Sequence, residues 1–180
     1  AAFDSVGEIA GKAVGPIGYG AAASRLAPVL KPLGAEVLYT ATKPKEGALG
    51  EWRDLPALLA HADIVSLHVP LDAKTEKMID AKTIASMKPG AVLVNTSRGA
   101  LVDELALIKA LKSGHLRAAG LDVFAREPVD TANRLLQLPN VVVMPHVAWL
   151  TPETVERSLG VTFENCRRLK DGEALLHQVS

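Results

Sequence analysis

The chain has 180 residues, 48% apolar and 22% charged, with 20 basic and 20 acidic side chains. That length suits one domain, or one with a small appendage, and it buries enough surface to fold without a disulfide or metal staple. A formal charge of zero argues against a nucleic-acid partner, which would call for a basic face. No apolar run approaches the ~18 residues of a membrane span. The single cysteine, Cys166, cannot close an internal disulfide, which permits a reducing compartment, and the expected location is the cytoplasm. Ala1 to Gly11 carries acidic residues and no long apolar stretch, unlike a signal peptide, and a start at Ala rather than Met suits a processed or excised piece.

In chain order, short apolar runs alternate with amphipathic segments. Strands are predicted at Ala13–Gly18, Glu36–Ala41, Asp63–Val69, Ala91–Asn95, Ala118–Val123 and Val141–Met144. Most are near-continuous Val, Leu and Ile, the mark of strands covered on both faces in a parallel sheet. Asp103 can cap a helix through Lys112, with Leu107, Ile108 and Leu111 on one face and Gly114 past its end. Thr151 can cap a last long helix with Pro152 at its first position and Glu153 near its positive end. On that helix Val155, Leu159, Phe163 and Cys166 share one stripe, and Cys166 reads as a packed core thiol. The alternation predicts a doubly wound α/β fold in three layers, one domain over residues 1–180, with strand order 3-2-1-4-5-6.

Gly18-Tyr19-Gly20-Ala21-Ala22-Ala23 follows the first strand and opens a helix, matching G-x-G-x-x-G/A with Ala23 in third place. The first glycine makes a tight turn, the second lets backbone approach a pyrophosphate, and the small third residue lets helix and strand pack closely. The free N–H groups of the helix start complete a phosphate site, and the bland alternative is an ordinary strand-to-helix turn. Pro28 and Pro32 threaten the helix that follows, and Pro16 removes a ladder donor from the strand before it. At the end of the second strand, Tyr39-Thr40-Ala41-Thr42-Lys43 has no acid to hold ribose hydroxyls. With repulsion of a 2′-phosphate removed, Lys43 or Lys45 can supply attraction, which favours NADP(H) over NAD(H). The alternative is that both lysines only line a solvated loop.

Three later stretches place polar residues at the C-terminal ends of strands, where ligands bind in open α/β sheets. They are Asn95 to Gly99, Leu121 to Pro128 and Met144 to Trp149. Arg98 suits a bidentate grip on a carboxylate, His146 suits proton exchange near neutral pH, and Glu127 suits orienting that histidine. Each also has a plainer reading: a salt-bridge partner, a surface carboxylate before a proline, and a satisfied buried histidine. Together they suit hydride transfer next to a carboxylate.

These same stretches carry a resemblance. The chain resembles the D-isomer-specific 2-hydroxyacid dehydrogenases. It does so through Gly11-Lys12, the Gly18–Ala23 turn, His68-Val69-Pro70-Leu71 with Thr75 and Met78-Ile79, and Lys88 through Gly99. Val102-Asp103-Glu104, Asp122-Val123-Phe124, Glu127-Pro128 and Pro145-His146 complete the match. The resemblance implies that Arg98 holds the carboxylate and carbonyl of a small 2-keto or 2-hydroxy acid, and that His146 is the acid/base paired with Glu127. It implies that Asp122 meets the nicotinamide amide and that Val69, Pro70, Thr75, Thr96, Ser97, Arg98, His146 and Ala148 border the cofactor. Gly18, Gly20, Ala21, Ala22 and Ala23 would face the diphosphate, and Ala41, Thr42 and Lys43 the ribose.

Where the family's turn commonly has Arg and Ile, this chain has Ala21 and Ala22. Ala41 stands in place of the usual ribose acid, as in the NADPH-using glyoxylate/hydroxypyruvate branch. The resemblance also implies a homodimer through the cofactor domain, and with no apolar run long enough for a span no membrane partner is expected. The family's substrate domain is absent from this sequence, so little or no turnover is expected of the chain alone. A nucleotide-binding module and an interaction domain are the competing readings.

Overall fold

The computed structural model describes residues 7–178. The reading of Ala1 to Gly11 therefore falls mostly outside the described residues. The chain forms two compact units, one ending at Pro145 and the other starting at His146.

The first unit is a seven-stranded sheet of β1 (Ala13–Ile17), β2 (Glu36–Tyr39), β3 (Glu51–Trp52), β4 (Ile64–Leu67), β5 (Ala91–Asn95), β6 (Leu116–Leu121) and β7 (Val141–Val143). Their order is β3-β2-β1-β4-β5-β6-β7, and every pairing is parallel. This is the doubly wound, Rossmann-type order 3-2-1-4-5-6 extended by one edge strand. For the six strands expected from the sequence that order fails at the run 63–69: it pairs with β1 rather than lying beyond β2, because the two-residue β3, which the apolar pattern passes over, takes the edge beside β2. Pro16 sits in central β1, where its carbonyl still accepts from the Thr40 N–H at 3.1 Å.

Side chains alternate across the sheet with a period of two. Ala13, Ile17, Leu38, Val65, Leu67 and Leu93 point into the larger core. There they meet α2 (Leu55–His61), α3 (Ala81–Ala85) and α4 (Glu104–Ser113) through Leu58, Leu59, Ile84, Leu107, Ile108 and Leu111. Val14 and Val37 point the other way, onto Ala27 and Leu30 of α1 (Ala21–Leu30). Coverage of both faces, expected of the strands generally, does not extend to β7. Val142, on this edge strand, is 70% exposed.

Local chemistry sets the helix ends. Asp103 accepts from the Ala106 N–H at 3.0 Å to start α4, and Gly114 ends it in the left-handed region at φ 77°. Pro28 is accommodated inside α1, and the helix stops at Leu30, before Pro32.

The second unit contains α5 (Pro152–Asp171), capped by Thr151, whose side chain accepts from the Thr154 N–H, and ended by Gly172 at φ 70°. Its charged side is braced by Arg167, which pairs with Glu164, Asp171 and Glu173. Hydrogen bonds from Arg167, then from Arg168, hold the Glu164 carboxyl at about 2. The expectation of a buried stripe fails here. Leu159 is 51% and Phe163 70% exposed, and Cys166 is exposed rather than a packed core thiol. The physical reason is that, among the described residues, α5 is the only regular element of its unit, so its apolar side has no second described element of that unit to pack against. Among the described residues no helix is long and apolar enough to cross a membrane.

Candidate functional site

The ends of β1, β2, β4, β5 and β6 form one edge of the first unit, and most of the sequence-predicted residues sit on it. Gly18 follows β1 at φ 94°, with its N–H donating to the Thr40 carbonyl at 2.9 Å. A side-chain carbon at Gly18 would stand 2.6 Å from the His68 carbonyl oxygen, so only glycine fits this turn. Gly20 caps α1 in extended conformation, with no side-chain cap and no acid in the first turn. The N–H groups of Ala21, Ala22 and Ala23 therefore begin a helix with no acidic side chain competing for them. Ala23 is fully buried, as the third small residue of the turn requires, while Ala21 and Ala22 are exposed. This cradle has the shape and the donor set for a dinucleotide's diphosphate.

Beyond β2 the chain enters a polar loop over 42–50. The Ala41 carbonyl accepts from the Trp52 indole N–H at 3.2 Å. Thr42, Lys43 and Lys45 are exposed on the loop. Beyond β4, Val69 leads to Pro70, whose carbonyl accepts from the Thr75 hydroxyl at 2.7 Å. Thr75 in turn accepts from the Asp72 N–H at 2.8 Å, so within this chain it pins its own loop. His68 lies behind the turn, with Nε2 and the Ser66 hydroxyl 2.9 Å apart. Burial pushes the His68 imidazole below its ordinary value.

Beyond β5 the turn that carries Arg98 is held by a residue that the sequence reading gave no role. Asn95 is buried; its amide donates to the Arg98 carbonyl at 2.9 Å and its side-chain oxygen accepts from the Ser97 N–H at 3.1 Å. The Ser97 hydroxyl donates to the Leu67 carbonyl at 2.6 Å, tying this turn to β4. Thr96 and Arg98 remain exposed, and the Arg98 guanidinium donates to the Ser97 carbonyl at 2.6 Å.

Beyond β6, Asp122 is 4% exposed and its N–H donates to the Asn95 carbonyl at 3.0 Å. Glu127 accepts from the Phe124 N–H at 2.9 Å, which folds the loop back on itself. Glu104, at the first position of α4, braces the same loop. One carboxylate oxygen accepts from the Ala125 N–H at 2.8 Å and the other from the Asn133 amide at 3.1 Å. Gly99 packs so closely on the Phe124 carbonyl that any side-chain carbon there would overlap it. The Arg98 turn and the Glu127 loop thus touch through backbone. Glu104 lies in the Val102-Asp103-Glu104 stretch already noted in the sequence, which was the available signal; its role across 21 residues was not.

In the second unit, His146 stands three residues beyond the end of β7 in the chain, at φ 57°. A non-glycine residue held in the left-handed region is uncommon and concentrates at functional positions. Ala148 and Trp149 follow, and the Val147 carbonyl accepts from the Leu150 N–H at 2.9 Å. Trp149 is 54% exposed.

A parallel sheet with a glycine turn at β1 and a helix start facing it defines a dinucleotide-binding α/β protein. The chain belongs to the family described as D-isomer specific 2-hydroxyacid dehydrogenase, NAD binding domain, whose model matches residues 2–148. A pyridine nucleotide is accordingly its cofactor class. The chain is 44% identical over 151 residues to a glycerate dehydrogenase of Methylorubrum extorquens, covering 83% of this chain and 47% of that protein. It is 42% identical over 167 residues to a glyoxylate reductase of Thermococcus litoralis, covering 91% and 50%. The crystal structure of D-lactate dehydrogenase with NAD+ from Lactobacillus jensenii superposes with a TM-score of 0.89 at 36% identity, covering 97% of this chain and 57% of that one. The chain thus spans about half the length of these relatives.

Proposed function

We propose that the chain, read as one cofactor domain over residues 1–180, binds NADP(H) in preference to NAD(H) and serves reduction of a small 2-keto acid to a D-2-hydroxy acid. The observation that carries this is the joining of the glycine cradle, the Arg98 turn and the Glu127 loop on one strand edge through Asn95, Ser97 and Gly99. The preference for NADP(H) rests on the absence of an acid from Ala41-Thr42-Lys43 and on the exposed Lys43 and Lys45.

When bound, a reduced nicotinamide supplies the hydride. Arg98 holds the substrate carboxylate through its planar fork and withdraws charge from the adjacent carbonyl. His146, in its charged form, gives a proton to the ketone oxygen as the carbonyl carbon becomes an alcohol carbon, and takes it back in the reverse direction. Glu127 is the carboxylate that this proposal assigns to the same acid/base chemistry. Asp122 meets the nicotinamide amide. Val69, Pro70, Thr75, Thr96, Ser97 and Ala148 border the ring and ribose, while Gly18, Gly20, Ala21, Ala22 and Ala23 take the diphosphate.

The exposed apolar side of α5 supports a homodimer in addition, since large exposed apolar patches mark association surfaces. The expected site of action is the cytoplasm.

The reading is tested by titrating oxamate, a non-reducible isostere of a 2-keto acid, onto the chain saturated with NADPH. Binding in the wild type that Arg98→Gln abolishes is the expected result. Equal binding by both proteins would remove Arg98 from the site.

A further inference from the structure

Glu104, one residue past the cap of α4, reaches from the helix to the loop that carries Glu127, and its two oxygens take donors from both ends of that loop. One accepts from the Ala125 N–H at 2.8 Å and the other from the Asn133 amide at 3.1 Å. The peptide between Phe124 and Ala125 is thereby held at both of its polar groups. Its N–H is bonded to Glu104, and its carbonyl lies pressed against Gly99. The Phe124 N–H, one peptide earlier, donates to the Glu127 carboxylate at 2.9 Å. Phe124 is buried in the larger core, whereas Ala125, Arg126, Glu127 and Pro128 are exposed. The bond to Glu104 thus falls on the first residue at which the chain leaves the core. The start of α4 is itself fixed. The Asp103 N–H donates to the Ile79 carbonyl at 3.0 Å, and Leu107, Ile108 and Leu111 are buried in the same core as Phe124.

We infer that Glu104 is a positioning residue, which sets where Glu127 stands by clamping the Phe124–Ala125 peptide and takes no part in the chemistry itself. This rests on the assignment of Glu127 to acid/base chemistry above and adds a residue to it. Ordering an exposed loop at the moment of binding subtracts from affinity. Glu104 removes part of that cost beforehand, from a helix that the core holds rigid. Its bonds are charge-assisted, which makes them stronger than bonds between neutral groups. The geometry also needs the length of this side chain. An aspartate, one carbon shorter, cannot meet both donors without moving the helix or the loop. A glutamine keeps the length and one accepting oxygen, and turns its amide nitrogen toward only one of the two donors. Gly99 neighbours Arg98 in the chain, so a Phe124–Ala125 peptide that shifts also presses on the Arg98 turn. Both proposed substrate-facing groups of this sheet edge then lose their placement together.

The test is titration of oxamate onto the whole chain saturated with NADPH, across a range of pH, for wild type, Glu104→Asp, Glu104→Gln and Glu127→Gln. Glu104→Asp keeps the charge and loses the reach, and it weakens oxamate binding about tenfold. Glu104→Gln loses the charge and keeps the reach, and it stays within about threefold of wild type. NADPH affinity is unchanged in both, since the glycine cradle lies on β1 and α1. Glu127→Gln moves the pH midpoint of oxamate binding to lower pH, because a carboxylate in the site favours a protonated acid. Glu104→Asp moves that midpoint the same way by a smaller amount, a shift that a purely structural role would not produce. Wild-type oxamate affinity and pH midpoint in Glu104→Asp would overturn the positioning role alone. So would a larger loss in Glu104→Gln than in Glu104→Asp, which would make the effect one of charge. A midpoint that Glu127→Gln leaves in place, or a wild type that does not bind oxamate, would sink the acid/base reading and the positioning role with it.

Discussion

Glu104 and Ala125, 21 residues apart in the chain, are joined by a hydrogen bond of 2.8 Å from the Ala125 N–H to the Glu104 carboxylate. The other oxygen of the same carboxylate takes the Asn133 amide, so a residue at the start of α4 holds both ends of the loop that carries Glu127. Replacing Glu104 with Ala leaves two donors without their partner, at a cost of about 1–3 kcal/mol. Glu104→Gln keeps both oxygen and shape at one contact and costs less. Urea denaturation of the two variants checks the order. Amide exchange at Phe124 and Ala125 should quicken in Glu104→Ala, while that of β1 and β4 stays unchanged after correction for global stability.

Gly99 is the point where the Arg98 turn and the Glu127 loop meet. Its substitution by Ala forces a carbon into the Phe124 carbonyl, which cannot be relieved by rotating a side chain. The chain must shift at one loop or the other, costing about 1–3 kcal/mol or more. The expected result is a lowered denaturation midpoint together with weakened oxamate binding. A variant of wild-type stability would show that the two loops are not pressed together there.

The pH dependence of stability follows from His68 and three carboxylates. The folded His68 imidazole lies below its ordinary 6.5 because burial disfavours its charge. The unfolded chain therefore binds the proton first, and stability is full above about pH 6.5 and falls as the pH drops from there toward the lowered folded value. Asp63, Asp72 and Asp80 are held below 3.8. For Asp63, burial opposes this and is outweighed by the Lys88 ammonium, the Ala13 N–H and nearby charge; for Asp72 and Asp80, backbone donors dominate. Their contribution is present above about pH 4 and is lost as the pH falls through their folded values. Unfolding free energy measured from pH 7 to 5 should slope with pH in the wild type and flatten in His68→Gln. An unchanged slope in that variant would assign the titration elsewhere.

The exposed side of α5 gives a prediction about assembly. Phe163 at 70% and Leu159 at 51% exposure are costly to leave in water. Sedimentation equilibrium should show concentration-dependent association that Leu159→Glu with Phe163→Glu abolishes. A wild-type chain that stays monomeric at high concentration would contradict the homodimer.

Much of the fold is legible because near-continuous Val, Leu and Ile runs mark buried parallel strands, and because Asp103, Gly114, Thr151 and Pro152 punctuate helices by local chemistry. The Gly18 turn is legible for the same reason, since its requirement for glycine is set within a few residues. What is not legible is held by distant partners. Glu51 and Trp52 form β3 only because β2 offers its edge, as in the bond from the Arg53 N–H to the Tyr39 carbonyl at 2.9 Å. Two residues carry no period. Glu104 and Asn95 act on loops elsewhere in the chain, and the phenols of Tyr19 and Tyr39 reach backbone at Leu49 and Lys45, contacts to which neither composition nor spacing points. The stripe on α5 shows the opposite failure: a clean helical period predicts an apolar side, yet says nothing about whether anything covers it.

The central claim is that a pyridine nucleotide places its diphosphate on the N–H groups at the start of α1. The most direct measurement is an NMR titration of the labelled chain with NADPH, repeated with Gly18→Val. The account predicts that the amides of Gly20, Ala21, Ala22 and Ala23 shift most in the wild type and do not shift in the variant. Shifts confined to other regions, or binding that survives Gly18→Val, would contradict it.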